Sequence, residues 1–269
     1  MNLLTSIPTS KRTLCYFQVD AFTSELFKGN PAGVCLLENE WLPDELMQRI
    51  AFENNQAETA FILPHGKNFG LRWFAPQAEI DLCGHATLAS AFILFTELKW
   101  AEDQIFFDSR SGTLSVSRKG SILELDFPSR PPTPAEPPRE LIEGLGSAPQ
   151  KIFKARDWMA VFENADAVRA IKPRFDVLAR LDKVIVTAPG KDVDFVSRFF
   201  APGIGVDEDP VTGSAHCTLI PYWASRLGKN KLHARQLSAR GGELFCELRG
   251  DRVGIGGHAI LYSSGHLHV

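Results

Sequence analysis

Arg72-Trp73-Phe74-Ala75-Pro76 is followed by an acidic loop and then by Cys83-Gly84-His85-Ala86-Thr87. Later in the chain, Arg198-Phe199-Phe200-Ala201-Pro202 is followed by an acidic loop and then by Thr212-Gly213-Ser214-Ala215-His216. Both stretches run in one order: apolar strand, acidic segment, glycine, and the small-residue start of an apolar helix. An ordered match of several features marks an internal duplication, and self-similarity of this kind fixes architecture. The expectation is a pseudo-twofold molecule in which Gly84 and Gly213 open corresponding helices that face one cleft between the halves.

Working outward, strand-like runs at 14–19, 33–37, 59–63, 71–74, 113–117 and 122–127 surround helical patterns at 44–53 and 85–98. The second half repeats the vocabulary, with strands at 151–155, 159–162, 184–187, 195–200, 235–238, 244–248 and 252–255 and helices near 165–171 and 214–227. Many strands with few helices per half is not the βαβ rhythm of a dinucleotide-binding fold. The class is α/β in the α+β sense. The halves are divided by the run PSRPPTPAEPP at 128–138, which can neither sustain a helix nor donate regularly to a sheet. The domains are read as 1–128 and 139–257, with 129–138 as linker.

At 269 residues, 44% hydrophobic and 23% charged, the chain is long enough for two domains and can bury a sizeable core. A formal net charge of -3 gives no footprint for a phosphate backbone, so nucleic acid is not an expected partner. Five scattered cysteines in apolar contexts indicate reduced thiols and a cytoplasmic location. No stretch has the length or apolarity of a membrane span or an export signal, so no membrane partner is expected. The glycines at 29–33 and 254–257 fit neither the dinucleotide nor the Walker pattern, and no cysteine–histidine spacing resembles a closed four-ligand metal site. No cofactor and no metal are expected.

Glu58 stands directly before Thr59-Ala60-Phe61-Ile62-Leu63, so its carboxyl enters an apolar strand, where desolvation disfavours the charged form. A carboxyl in that condition can both take and return a proton. Taken alone, the residue reads more simply as a solvent-facing glutamate at a strand edge. His85 and Ser214 follow the two glycines at helix starts. Free N–H groups there favour carboxylate or enolate oxygens, which suggests an anionic substrate. Ser214 also reads as a simple helix cap, His85 as a hydrogen-bonded structural residue, and Asp209-Pro210 as a turn.

The segments Val19-Asp20-Ala21-Phe22-Thr23, Gly29-Asn30-Pro31-Ala32-Gly33, Gln56-Ala57-Glu58-Thr59-Ala60-Phe61, Cys83-Gly84-His85-Ala86-Thr87 and Glu208-Asp209-Pro210-Val211-Thr212-Gly213-Ser214-Ala215 together resemble the PhzF family of phenazine-biosynthesis-type isomerases, relatives of diaminopimelate epimerase and proline racemase. They span nearly the whole chain in family order. The resemblance implies two pseudo-symmetric domains of diaminopimelate epimerase-like fold, each a β-barrel-like sheet around a central helix, with the terminal strand at 258–269 returning to the first domain. It implies a cofactor-independent isomerase that moves a proton on a small acidic metabolite, and a homodimer. Glu58 matches the family's general acid/base, and His85, Asp209 and Ser214 match its substrate-holding residues, with Gly84, Gly213 and Cys83 lining the cleft. The related racemases pair one cysteine from each domain. Cys83 matches the first position, but Cys217 lies beyond Gly213 rather than before it, which disfavours a two-thiol racemase. An epimerase using Asp209 or Cys83 as second acid, and a non-catalytic small-molecule binder, are the alternatives. The extension at 1–12 is a departure from the family pattern and leaves the site untouched.

Overall fold

The computed structural model describes residues 12–269, so all but the last residue of the extension at 1–12 lies outside the described residues. The first half runs β1 (Thr13–Ala21), β2 (Asn30–Leu36), α1 (Asp44–Asn54), β3 (Glu58–His65), β4 (Asn68–Phe74), β5 (Glu79–Ile80), α2 (Gly84–Thr96), β6 (Gln104–Ser109), β7 (Gly112–Lys119) and β8 (Ile122–Pro128). The second runs β9 (Thr133–Pro134), α3 (Arg139–Leu145), β10 (Lys151–Lys154), β11 (Trp158–Val161), α4 (Ala165–Ala170), α5 (Phe175–Leu178), β12 (Val184–Pro189), β13 (Phe195–Ala201), β14 (Val206–Glu208), α6 (Gly213–Leu227), β15 (Lys231–Gln236), β16 (Gly242–Arg249), β17 (Arg252–Gly257) and β18 (Ala259–His268).

The strand pairings repeat. In the first half β1–β2 is antiparallel, β2–β3 parallel, β3–β4 antiparallel, β4–β6 parallel, and β6–β7–β8 antiparallel. In the second, β10–β11 is antiparallel, β11–β12 parallel, β12–β13 antiparallel, β13–β15 parallel, and β15–β16–β17 antiparallel. β8 pairs with β17, which joins the two sheets edge to edge. The strand leaving each half then crosses over: β9 pairs with β10, and β18 lies antiparallel along β1 from Ala21 to Thr13. The proline run is therefore not free-standing, because Thr133 and Pro134 dock on the second half and the Arg130 N–H donates to the Cys217 carbonyl at 2.8 Å.

Each sheet wraps one helix. Ten residues of the thirteen-residue α2 and ten of the fifteen-residue α6 are buried, the pattern of helices that are core on nearly every face. In α2 the hydroxyls this burial would strand turn back on the helix, Ser90 donating to the Ala86 carbonyl at 2.7 Å. The duplicated Arg-aromatic-Phe-Ala-Pro stretch is duplicated in its contacts as well. Arg72 holds Glu79 through two bonds of 2.7 and 2.8 Å and lies over Phe74, while Arg198 holds Glu208 at 2.7 and 2.9 Å and lies over Phe200. Between the halves sits Phe22, fully buried in a left-handed backbone conformation (φ 62°). A Cβ on Gly257 would lie 2.4 Å from its ring, so that glycine is required by close approach.

Sequence periodicity missed β6, α3, α5 and the two- and three-residue strands β5, β9 and β14, and placed the start of β15 four residues late. In β6 only Ile105 and Phe107 point inward, with Phe106 at the surface, so the alternation is too short to stand out. α3 and α5 span seven and four residues, below the length at which helical periodicity is readable.

Candidate active site

The N-termini of α2 and α6 meet. A Cβ added to Gly84 would stand 3.7 Å from the Gly213 Cα, and the converse distance is also 3.7 Å. Neither helix has a side-chain cap at Cys83 or Thr212, and the N–H groups of Gly84, His85, Gly213 and Ser214 find no acceptor among the described residues. Unsatisfied helix-start donors with the positive end of the helix dipole make a cradle for anionic oxygens.

Glu58 opens β3 beside this cradle, its side chain 17% exposed, and Oε2 lies 3.0 Å from His85 Nε2. The approach is close but off the hydrogen-bond line, so Oε2 is buried without an aligned donor. A buried acceptor left in that state demands an explanation, and readiness to take a proton is one. His85 is itself enclosed. Burial works against its imidazolium, but the charges of Cys83 and Glu58 overcome this and hold its pKa well above the ordinary value. Burial together with the Glu58 charge pushes the Cys83 thiol up to about 11.

Asn30, at the start of β2 and with no exposed surface, ties this half to the other. Its Nδ2 has two protons, and these go to Asp209 Oδ1 at 2.8 Å and the Val211 carbonyl at 3.0 Å. None remains for His85 Nδ1 at 3.2 Å, whose hydrogen-bonding neighbour is instead Cys83 Sγ at 3.4 Å. Asp209 also accepts from the Thr212 hydroxyl at 2.5 Å, and Gln236 donates to its carbonyl at 2.8 Å. Burial, reinforced by the nearby Glu58 charge, pushes the Asp209 carboxyl from 3.8 to about 6 against the lowering pull of His85, Thr212 and Asn30.

A raised acid pKa contributes stability that is full below about pH 4 and is lost as pH rises through 6. Asp209→Asn, which removes the titration, is therefore expected to gain on the wild type by up to about 3 kcal/mol between pH 4 and pH 7. Urea unfolding at both pH values reads the gap, and a gap independent of pH would contradict the enclosure of Asp209.

Ser214 lies apart from this network. It accepts from Arg156 Nη2 at 3.0 Å, and Arg156 is clamped bidentately on the buried Asp157 at 2.9 and 2.7 Å. Of the residues singled out from sequence, the fold brings together Glu58, Cys83, Gly84, His85, Asp209 and Gly213, with Ser214 one residue along α6. Asn30 and Gln236 were missed as site residues. The signal for Asn30 was a polar side chain opening an otherwise apolar strand. Glu58, Cys83 and His85 also form the one trio among the described residues whose donor atoms, all within 4.8 Å of one another, could meet a metal ion.

Two cavities, of about 480 and 410 Å³, lie elsewhere: one between the proline run and α6, the other between Phe22–Lys28 and Arg235–Glu243, touching the site only through Gln236. Neither is lined by Glu58, His85 or Asp209, so the chemistry is located by the side-chain network rather than by either cavity.

The sequence model of phenazine biosynthesis-like (PhzC-PhzF) proteins matches residues 19–265. The chain belongs to this family. It is 53% identical over 257 residues to a Pseudomonas aeruginosa protein named as an uncharacterised isomerase, a match covering 94% of this chain and 98% of that relative. A crystal structure of a PhzF family protein from Enterococcus faecalis, 47% identical, superposes with a TM-score of 0.93 over 96% of this chain and all of the other. A probable proline racemase from Agrobacterium radiobacter, 11% identical with a TM-score of 0.63 over 94% of this chain and 92% of its own, shares the fold alone. The fold is therefore the mixed α/β architecture of PhzF proteins and of the epimerase-like group, as the motifs implied. Family and named relatives support an isomerase- or epimerase-type function. No helix among the described residues is long and apolar enough to cross a membrane.

Proposed function

We propose that this PhzF family member is a cofactor-independent isomerase in which Glu58 takes a proton from an activated carbon of a small carboxylate-bearing metabolite and returns it, or one exchanged with solvent, to another carbon of the same molecule. The observation that carries this reading is Glu58 Oε2: buried, without an aligned donor, and 3.0 Å from His85 Nε2 beside two uncapped helix starts. Glu58 supplies the base. Once Glu58 is protonated, the proton is available to the second carbon, so no net charge is left in the site. His85, 3.0 Å from Glu58, orients the carboxylate and offers N–H to an oxygen that becomes negative during the transfer. The Gly84 and Gly213 helix starts supply further fixed donors, the arrangement that stabilises an enolate most when it needs no reorganisation. Asn30 and Asp209 hold the two helix starts in register.

The thiol is not required in this scheme. Cys83→Ser is expected to keep turnover within about tenfold of wild type, because Cys83 only neighbours His85 Nδ1 and stays protonated near neutral pH. Steady-state rates on a metabolite found by screening small carboxylic acids for thermal stabilisation would check this. A loss as deep as that of a Glu58 variant would point to racemase-like thiol chemistry. An epimerase is the second reading, favoured by Asp209 at about 6, a carboxyl able to donate a proton at neutral pH. It predicts deuterium from solvent at the carbon of origin instead of a neighbouring one.

A further inference from the structure

The repeat identifies the second half's counterpart of Glu58. On β3, Phe61 pairs with Arg72, and Glu58 lies three residues before it. On β12, Val186 pairs with Arg198, the repeat partner of Arg72, and three residues before it stands Lys183. The neighbouring strands agree: Glu58 pairs with Ala32, and the Trp158 N–H, one residue after Asp157, donates to the Lys183 carbonyl at 2.9 Å. At the helix starts, His85 corresponds to Ser214. Where the first half carries Glu58 with His85, the second carries Lys183 with Arg156 and Ser214.

Arg156 is committed to Asp157, and Lys183, half-buried, makes no ion pair among the described residues. Burial and the Arg156 charge hold the Lys183 pKa below its ordinary value against the pull of Asp157, Asp182 and Asp209. Arg130, whose backbone N–H meets the Cys217 carbonyl on α6, has a buried Nη1 with no partner among the described residues. Lys183 stands directly before β12 at the repeat position of Glu58 on β3, and the helix starts of the two halves meet at Gly84 and Gly213, so the repeat sets the cation and the proton carrier about one centre. An ammonium that makes no ion pair keeps its donors for an anion.

We propose that Lys183 and Arg156, with the Ser214 hydroxyl, form a subsite that binds a carboxylate of the substrate and fixes it across the cleft from Glu58. The subsite sets which molecule enters and which carbon faces the base, and it rests on the reading of Glu58 as proton carrier. Lys183 is a positioning and specificity residue here.

The probes are benzoate, its uncharged analogue benzamide, and inorganic phosphate, titrated by calorimetry against the wild-type chain, Lys183→Met, Lys183→Arg and Glu58→Gln, each first shown to unfold cooperatively. Benzoate is expected to bind the wild type and to bind Lys183→Met about tenfold or more weakly, the loss expected for one charge-assisted hydrogen bond. Lys183→Arg should recover most of the affinity, Glu58→Gln should bind benzoate as the wild type does, and benzamide should not depend on Lys183. Benzoate affinity equal in wild type and Lys183→Met, no benzoate binding to the wild type at millimolar concentration, or a Lys183 dependence seen for phosphate alone would each overturn the subsite. A Glu58→Gln variant that still turns over a substrate would remove the proton-carrier reading while the benzoate result stood, so the two failures are distinguishable.

Discussion

Glu58→Gln is expected to lower kcat by about 10²- to 10⁴-fold while ligand affinity changes little, the size of effect that general acid–base catalysis supplies. The amide keeps the shape of the side chain and its place at the head of β3 but has no exchangeable acid–base proton. Its loss should therefore fall on the chemical step. His85→Ala should weaken binding as well as turnover, because it removes an N–H from the cradle and leaves Glu58 without its 3.0 Å neighbour. Single-turnover rates and equilibrium binding, measured for both variants on one substrate, separate the two roles.

Arg198→Met is expected to cost about 3–5 kcal/mol of stability, since breaking an enclosed ion pair strands the remaining charge. The guanidinium is 11% exposed and Glu208 20%, and Arg198 Nη1 also satisfies the carbonyls of Val168 and Ile171 at 3.2 and 2.8 Å. The repeat partner gives an internal control. Arg72→Met strands Glu79, but Arg110 remains 2.7 Å from Glu79 Oε2, and the other pairing lost, with Asp44, involves a carboxylate at the surface. The Arg72 variant should therefore lose roughly half as much. Urea unfolding of the two variants side by side checks this, and equal losses would contradict the buffering by Arg110.

The duplication was legible because two stretches repeat glycine, acidic loop and aromatic strand in order, and the structure repeats even their ion pairs. Glu58 was legible only through the family resemblance, because a charged residue heading an apolar strand reads equally well as a solvent-facing one. The same pattern stands at Lys183-Val184-Ile185-Val186 and at Arg156-Asp157-Trp158, where no family motif singles it out. What could not be read was the junction. Asn30 acts on Asp209 across 179 residues of chain, and the raised pKa of Asp209 depends on enclosure by both halves, which no local pattern encodes. The reciprocal crossing of β9 and β18 was hidden by the proline run, which reads as a spacer until its partner strand is seen.

The proton itself is the most direct witness to the mechanism. A carboxylic metabolite that stabilises the native chain would be incubated with enzyme in deuterium oxide, and carbon-bound deuterium followed by NMR for the wild type and for Glu58→Gln. Wild-type enzyme is expected to wash deuterium into a carbon other than the one that loses its proton, with the rate falling at least about 10²-fold in the variant. Deuterium entering equally fast with Glu58→Gln would contradict the assignment of Glu58 as the group that moves the proton.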